Sequence, residues 1–212
     1  MSTAPVEVLF EDNHCLVVNK PAPMLTQAPA GVPSLEALAK DYLRAKYDKA
    51  GNVYLGVPHR LDRPVSGVVV FARTSKAAAR LAEQFRDRQV VKIYWGLVEG
   101  TPVPREGVWR DSIRKVPDES RAEIAEAGAE GAKVAVLRYR TLRVAARDGS
   151  GDPSYGRQNT LVEFIPETGR MHQIRIQACQ HGHPLVGDSI YGSKLAFGPT
   201  VESSRDRIIA LH

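Results

Sequence analysis

Three stretches of the sequence crowd chemically capable side chains together. The first is Pro58-His59-Arg60-Leu61-Asp62-Arg63-Pro64-Val65-Ser66-Gly67, where an aspartate sits between two arginines in a loop fenced by proline and glycine. Neighbouring cations favour the ionised carboxylate and keep it ready as a nucleophile or base. Loops held by a scaffold are where such groups concentrate. The same ten residues also read as a salt-bridged surface turn. The second stretch is Val90-Val91-Lys92-Ile93-Tyr94-Trp95-Gly96. On a strand, Lys92 and Tyr94 share a face. A ring beside a cation suits stacking on a nucleobase next to a phosphate; an ordinary amphipathic strand has the same pattern. The third is Glu167-Thr168-Gly169-Arg170-Met171-His172-Gln173-Ile174-Arg175. A helix opening after Gly169 puts His172, Arg175 and Cys179 on one face, with Met171, Ile174 and Ala178 on the opposite, core-facing stripe. Arg175 then projects from a fixed element and can meet a carboxylate in a two-pronged contact. A solvated helix face fits the spacing equally.

Three look-alikes lead elsewhere. Cys179, His181 and His183 alternate like metal ligands, but Gly182 and Pro184 make the segment a turn. No second ligand pair stands at a zinc spacing, so no metal is expected. Residues 187–194 resemble a phosphate loop, yet Ser193 precedes Lys194 where that motif needs the reverse order. In His59-Arg60-Leu61-Asp62 a leucine interrupts the kinase-type tripeptide, and no glycine-rich loop precedes it.

Elements must hold these groups in place. Apolar alternation and short apolar runs predict strands over 6–10, 15–19, 68–73, 90–98, 133–144 and 159–166. In the fourth, Val91, Ile93, Trp95 and Leu97 share one face, and Lys92, Tyr94 and Gly96 the other. Ser34 can cap a helix carrying Leu35, Leu38, Ala39, Tyr42 and Leu43 at helical spacing, and Thr74 or Ser75 one carrying Ala78, Leu81, Ala82 and Phe85. A short third helix is expected over 171–180. Proline and glycine make loops or turns of 20–31, 51–67, 101–107 and 145–158. The Ala/Glu/Gly-rich stretch 117–133 reads as a mobile surface insert, and 207–212 begins a strand and stops. Strands outnumber helices without a regular βαβ alternation. The expected fold is one α+β domain, a largely antiparallel sheet flanked by helices and loops.

The 212 residues are 43% hydrophobic and 25% charged, which excludes a disordered tail, a collagen-like repeat and a disulfide scaffold. A chain this long buries roughly 70% of its unfolded surface. Cys15 and Cys179 alone make no disulfide framework. No apolar run approaches the ~20 residues of a membrane span. Residues 1–5 lack the basic start and apolar stretch of a signal peptide, so the cytoplasm is the expected compartment. The net charge of +5 is uneven: 12 basic against 6 acidic residues over 60–116, 8 against 4 over 132–180, but 1 against 5 over 117–131. Two basic segments around an acidic insert suit a polyanion, because each neutralised phosphate releases condensed counterions. A solvated surface of mixed charge has the same composition.

In this order and register the segments resemble the RluA family of pseudouridine synthases. The matching stretches are Val18-Asn19-Lys20-Pro21, His59-Arg60-Leu61-Asp62 with Ser66-Gly67, Gln84-Phe85-Arg86 through Lys92-Ile93-Tyr94, Glu167-Thr168-Gly169-Arg170 with His172-Gln173-Ile174-Arg175, and Gly182-His183-Pro184 with Gly187-Asp188 and Tyr191-Gly192. They run from about residue 15 to the end of the chain. The resemblance implies isomerisation of uridine to pseudouridine in structured RNA, ribosomal or transfer, with no cofactor and no metal. The N1–C1′ glycosidic bond is cut, the base rotates, and C5 joins C1′. Asp62 becomes the essential residue, acting on the ribose by covalent attack or by proton abstraction. Tyr94 is assigned to stacking on the target base and to proton transfer, Arg175 to pairing with the aspartate, and Arg60 to the gap left by a flipped-out nucleotide. His59, Lys92, Arg170 and His172 follow as substrate-binding neighbours. Ile174 and Leu185 follow as walls of a water-excluding pocket, or as plain core packing. Extruding the uridine costs a few kcal/mol, of which stacking recovers about 1–3 kcal/mol.

The sequence departs from the family pattern at Val65, where threonine is usual, around Trp95-Gly96 and Met171, and at Gln177, where histidine is frequent. No RNA-binding module of the S4 kind is expected ahead of the motif loop, and the family chain usually continues past His212. Residues 1–212 therefore read as a catalytic domain alone, a monomer with no membrane contact and no obligate protein partner. Two other classes fit parts of the pattern. One is a catalytically inactive RNA-binding protein or RNA chaperone on the same fold, against which the joint presence of Asp62, Tyr94 and Arg175 argues. The other is a nucleoside or glycoside hydrolase, which commonly needs a second carboxylate that the motifs do not set beside Asp62.

Overall fold

Alternation and capping account for most of the elements. The computed structural model describes residues 6–144 and 159–212; the turn expected over 145–158 and the reading of residues 1–5 lie outside the described residues. The chain divides into two compact units, the first ending at Val90 and the second beginning at Val91.

The first unit holds a three-stranded antiparallel sheet, in the order β1 (Glu7–Glu11), β2 (Cys15–Lys20), β3 (Gly67–Ala72). Register sets Leu16 against Phe71 and Val18 against Val69, and all four are fully buried. Helix α1 (Leu35–Lys46) starts where the Ser34 hydroxyl accepts the Ala37 N–H, and buries Leu35, Ala39 and Leu43. Helix α2 (Ser75–Arg86) starts in the same way at Thr74. Such a cap is worth about 1 kcal/mol. The face expected on α2 is shallower than its spacing implies: Ala78, Leu81 and Phe85 are half-buried and Ala82 is exposed. Glu11 ties β1 to α1 and to the end of β3. It accepts from Tyr42 (2.9 Å), Lys46 (2.7 Å), Tyr47 (2.6 Å) and Arg73 (2.9 Å). Burial alone would raise its carboxyl, but the bonds from Lys46, Tyr47 and Tyr42 hold it down at about 2.

The second unit is a five-stranded antiparallel sheet in the order β4-β8-β7-β5-β6. These strands are β4 (Tyr94–Glu99), β5 (Glu106–Lys115), β6 (Ala122–Ala125), β7 (Lys133–Val144) and β8 (Asn159–Pro166). Helix α3 (Gln173–Gln180) packs on β5, β6, β7 and β8. Beyond its end the His181 ring lies flat on Trp109 (centroids 4.6 Å, 3° apart), and Trp109 stacks in turn on Tyr139. The last residues run beside β4, with Trp95 and His212 exchanging backbone hydrogen bonds of 2.8 and 2.9 Å.

Several expectations are corrected. The loop expected over 101–107 ends at Glu106, where β5 begins; Arg110, Asp111, Ser112 and Arg114 had hidden that strand. The supposed mobile insert contains β6, and Ala122 packs in a buried cluster with Ile113, Ala135, Ile176 and Tyr191. The strand expected over 90–98 starts at Tyr94, and its packed face is the one that carries Gly96. Val91, Ile93 and Trp95 are 73%, 57% and 55% exposed, while Gly96 and Val98 are buried. Gly96 explains this: a Cβ there would stand 2.7 Å from Leu185 Cδ2 and 3.0 Å from Phe164 Cε2, so the small-residue face is the packed one. Helix α3 begins at Gln173, not 171, because His172 adopts a left-handed φ of 53°. It has neither a solvated face nor a single core stripe. Residues 173–178 are all buried, and its polar members are bonded: Gln173 to Thr168 and Val136, Gln177 to Asp111, Arg175 to Asp188.

Candidate active site

Asp62 lies half-buried in the first unit, on a loop that is fixed by its backbone. The buried Thr26 hydroxyl accepts the Leu61 N–H (3.1 Å) and donates to the Leu61 carbonyl (2.9 Å). On the other side, the Arg63 carbonyl accepts from the Met24 N–H (3.0 Å) and from the Lys20 ammonium (3.3 Å). Lys20 is wholly buried and also donates to the carbonyls of Met24 (2.7 Å) and Pro21 (3.3 Å). Burial pushes its amine down to about 8, against the upward pull of the Asp62 carboxylate. Leu61 and Val65 sink into the core, so the hydroxyl-free Val65 serves as packing. His59 is engaged too: its ring stacks on Phe85 (4.7 Å) and Nε2 accepts the Val70 N–H (3.0 Å). Arg60 is exposed. Lys20 carried no assigned role in the sequence, although Asn19-Lys20-Pro21 was among the matching stretches.

The second unit holds the other expected residues. Tyr94 opens β4, half-buried, across from Phe164 on β8. Leu185 is fully buried and bridges Val98, and Ile174 is buried on α3. Lys92 Nζ stands 3.4 Å from the Thr168 carbonyl. Arg170 donates Nε to the Val134 carbonyl (2.9 Å), and its N–H bonds Gln173 Oε1 (3.0 Å). His172 Nδ1 is 2.8 Å from the Tyr191 hydroxyl. Arg175 does make a two-pronged contact, and its partner there is Asp188: Nε donates to Oδ2 (2.7 Å) and Nη2 to Oδ1 (2.9 Å). Its Cζ lies 5.0 Å from the centre of the Tyr191 ring. Asp188 was missed. It stood in the matching Gly187-Asp188 pair, but no spacing links residue 188 to residue 175. The alternating Cys179, His181 and His183 part ways. Cys179 packs against the Ile113–Tyr191 cluster, His181 Nε2 lies 3.2 Å from Asp111, and His183 Nδ1 lies 3.1 Å from the Glu99 carbonyl.

This architecture defines a class. The human RNA pseudouridylate synthase domain containing 4 protein has the same fold, with a TM-score of 0.74 over 97% of this chain and 81% of that one, at 24% identity. The sequence places the chain within that class: it belongs to the RNA pseudouridylate synthase family, whose sequence model matches residues 14–180. It is 37% identical over 192 residues to ribosomal large subunit pseudouridine synthase D of Xylella fastidiosa, covering 90% of this chain and 53% of the relative. It is 34% identical over 212 residues to the protein of the same name in Zymomonas mobilis, covering 98% and 63%. The chain thus spans about half the length of the curated relatives it matches. Among the described residues, no helix is long and apolar enough to cross a membrane.

Proposed function

We propose that this chain converts uridine to pseudouridine in structured RNA, with residues 1–212 working as one catalytic domain. The family match across residues 14–180, with Asp62, Tyr94 and Arg175 all present, carries this reading. Asp62 acts on the ribose, by attack at C1′ or by taking a ribose proton. The backbone bonds at Leu61 and Arg63 support that role, because a carboxylate anchored on both sides reacts from a fixed position. The N1–C1′ bond breaks, the base turns against the Tyr94 ring, and C5 bonds to C1′. The C5 proton leaves and N1 gains one, so substrate and product are isomers. Arg175 supplies directed N–H donors, and exposed Arg60 suits the gap left by the extruded nucleotide. Lys92, Arg170 and His172 serve RNA binding from the second unit. Ile174 and Leu185 keep water out from behind, and His59 serves by holding the loop to Val70 and Phe85.

The relatives' printed names make large-subunit ribosomal RNA the first substrate to test and transfer RNA the second. The enzyme works in the cytoplasm, as a monomer, without cofactor or metal. The test is release of tritium from RNA labelled at C5 of uridine. Tritium in water, with pseudouridine in the digest, supports the reading. Binding without release points to an inactive RNA-binding protein, and free uracil to a hydrolase; either result overturns it.

A further inference from the structure

We propose that Asp188 is the positioning residue for Arg175, delivering its guanidinium to the reaction as half of a neutral, directional pair. The inference rests on the reading above that Arg175 serves the isomerisation. Arg175 and Asp188 are 3% and 1% exposed. The bonds from Nε (2.7 Å) and Nη2 (2.9 Å) run parallel into one carboxylate, which stops the guanidinium rotating in its own plane. The Tyr191 ring, 5.0 Å from Cζ, stops it tilting. Neither support is loose. The Tyr191 hydroxyl accepts the Ala122 N–H (2.9 Å) and meets His172 Nδ1 (2.8 Å).

Asp188 itself is clamped by its main chain. Its N–H donates to the Leu185 carbonyl (3.0 Å), and its carbonyl accepts from Tyr191 (3.1 Å) and Ser193 (3.0 Å). The preceding Gly187 has a φ of +90°, and a Cβ there would come within 2.8 Å of the Ile208 carbonyl, so the turn has one shape. Leu185, three residues earlier, packs where a Gly96 side chain would be. One rigid turn therefore references both Arg175 and the strand that carries Tyr94.

A buried ion pair is a poor device for stability alone, since a well-packed apolar pair of the same volume commonly serves as well. What an apolar pair cannot supply is a fixed donor. A guanidinium carries five N–H groups. Asp188 engages Nε and one side of Nη2, and so sets the direction of the remaining donors. Because the pair is neutral, Arg175 brings direction rather than net charge. Lysine cannot replace it, having no fork to clamp.

The test is Asp188→Asn, which keeps the size and loses the charge and one arm of the fork. The expected result is a kcat at least tenfold lower, with the KM for RNA unchanged or slightly lower, because the net charge rises by one. A role confined to holding the turn would lower Tm and move KM with kcat, and that result overturns the proposal, as does wild-type kcat in the folded variant. Acting through Arg175 also requires non-additivity: Asp188→Asn combined with Arg175→Ala should fall within threefold of Arg175→Ala alone, and additive losses refute it. Should Asp188→Asn fail to fold, Asp188→Glu, which keeps the charge but moves the carboxylate by one methylene, carries the same comparison. Exchange of the Arg175 Nε–H with solvent, followed by nitrogen-15 NMR without RNA, reads the clamp independently of activity. Exchange at least tenfold faster in Asp188→Asn supports it; unchanged exchange overturns it. An inactive wild type would instead refute the synthase reading, and the exchange measurement would still decide the clamp.

Discussion

Lys20→Met tests how the Asp62 loop is held. The unfolded chain keeps the Lys20 proton up to about pH 10.5, whereas the folded protein releases it near 8. Between those values the unfolded state binds more protons, so stability rises with pH across the window. At 1.36 kcal/mol per pH unit, the gain is about 3 kcal/mol by the upper end. Methionine keeps most of the stem's volume and removes the titrating group. At neutral pH the variant relieves a desolvated charge but leaves the Met24 carbonyl without its 2.7 Å partner. Those opposing contributions are each about 1–3 kcal/mol, so the two proteins should start within about 2 kcal/mol of each other. Urea melts followed by circular dichroism at intervals from pH 8 to 10.5 then separate them. With a slope of about 2–3 kcal/mol per molar, the midpoint difference should move by about 1 M in favour of wild type. Taking the difference cancels every group that titrates alike in both. A difference that stays constant with pH, or moves toward the variant, refutes the account of Lys20. The same variant should lower kcat, because the Arg63 carbonyl loses its bond from the Lys20 ammonium.

Four other outcomes are expected. Asp62→Asn should abolish tritium release while leaving Tm and RNA affinity nearly unchanged, and residual turnover above a few per cent would remove Asp62 from its role. Glu11→Gln should cost about 1–2 kcal/mol at neutral pH, discounted because the Lys46 partner is half-exposed. Glu11's folded carboxyl lies below its unfolded value of 4.5, so the loss should fade as pH drops from 4.5 toward 2, which thermal melts across that range would read. Gly96→Ala should destabilise by about 1–3 kcal/mol, since Leu185 and Phe164 occupy the space its methyl needs; an unchanged Tm would show that they can yield. RNA affinity should fall steeply with salt, by roughly 0.7–0.9 log units per log unit of salt for each phosphate contacted, and a flat dependence would exclude the two basic segments as the RNA surface.

The most legible parts of the fold are those where local pattern and packing agree. Strands β7 and β8 were readable to the residue, β8 because its alternation is clean and β7 because an apolar run, Val134 to Leu137, leads into alternating residues. The caps at Ser34 and Thr74 are local chemistry, three residues from their partners. Strand β5 was hidden because its polar residues do not alternate cleanly with apolar ones. β6 was hidden because alanine and glutamate look like linker until Ala122 meets Tyr191. The period of β4 was correct, but the period alone does not say which face packs. Burial there follows the smallness of Gly96, which matters only once Leu185, eighty-nine residues away, is known to fill the space. In the same way α3 looked amphipathic because Gln173, Arg175 and Gln177 are polar. They are buried because Val136, Asp188 and Asp111 wait for them, and none of those pairings has a sequence period. Asp62, Tyr94 and Arg175 could be named through motif order; Lys20 and Asp188, which hold two of them, could not.

The indole of Trp109 lies between the Tyr139 ring and the His181 imidazole, and that imidazole follows directly on α3. Trp95, the other tryptophan, is more than half exposed. The protein thus contains its own optical gauge. With Trp95 replaced by phenylalanine, emission from Trp109 alone reports whether the end of the Arg175 helix is seated on the sheet. Loss of that seating during unfolding could then be followed by emission alone, with no dye attached.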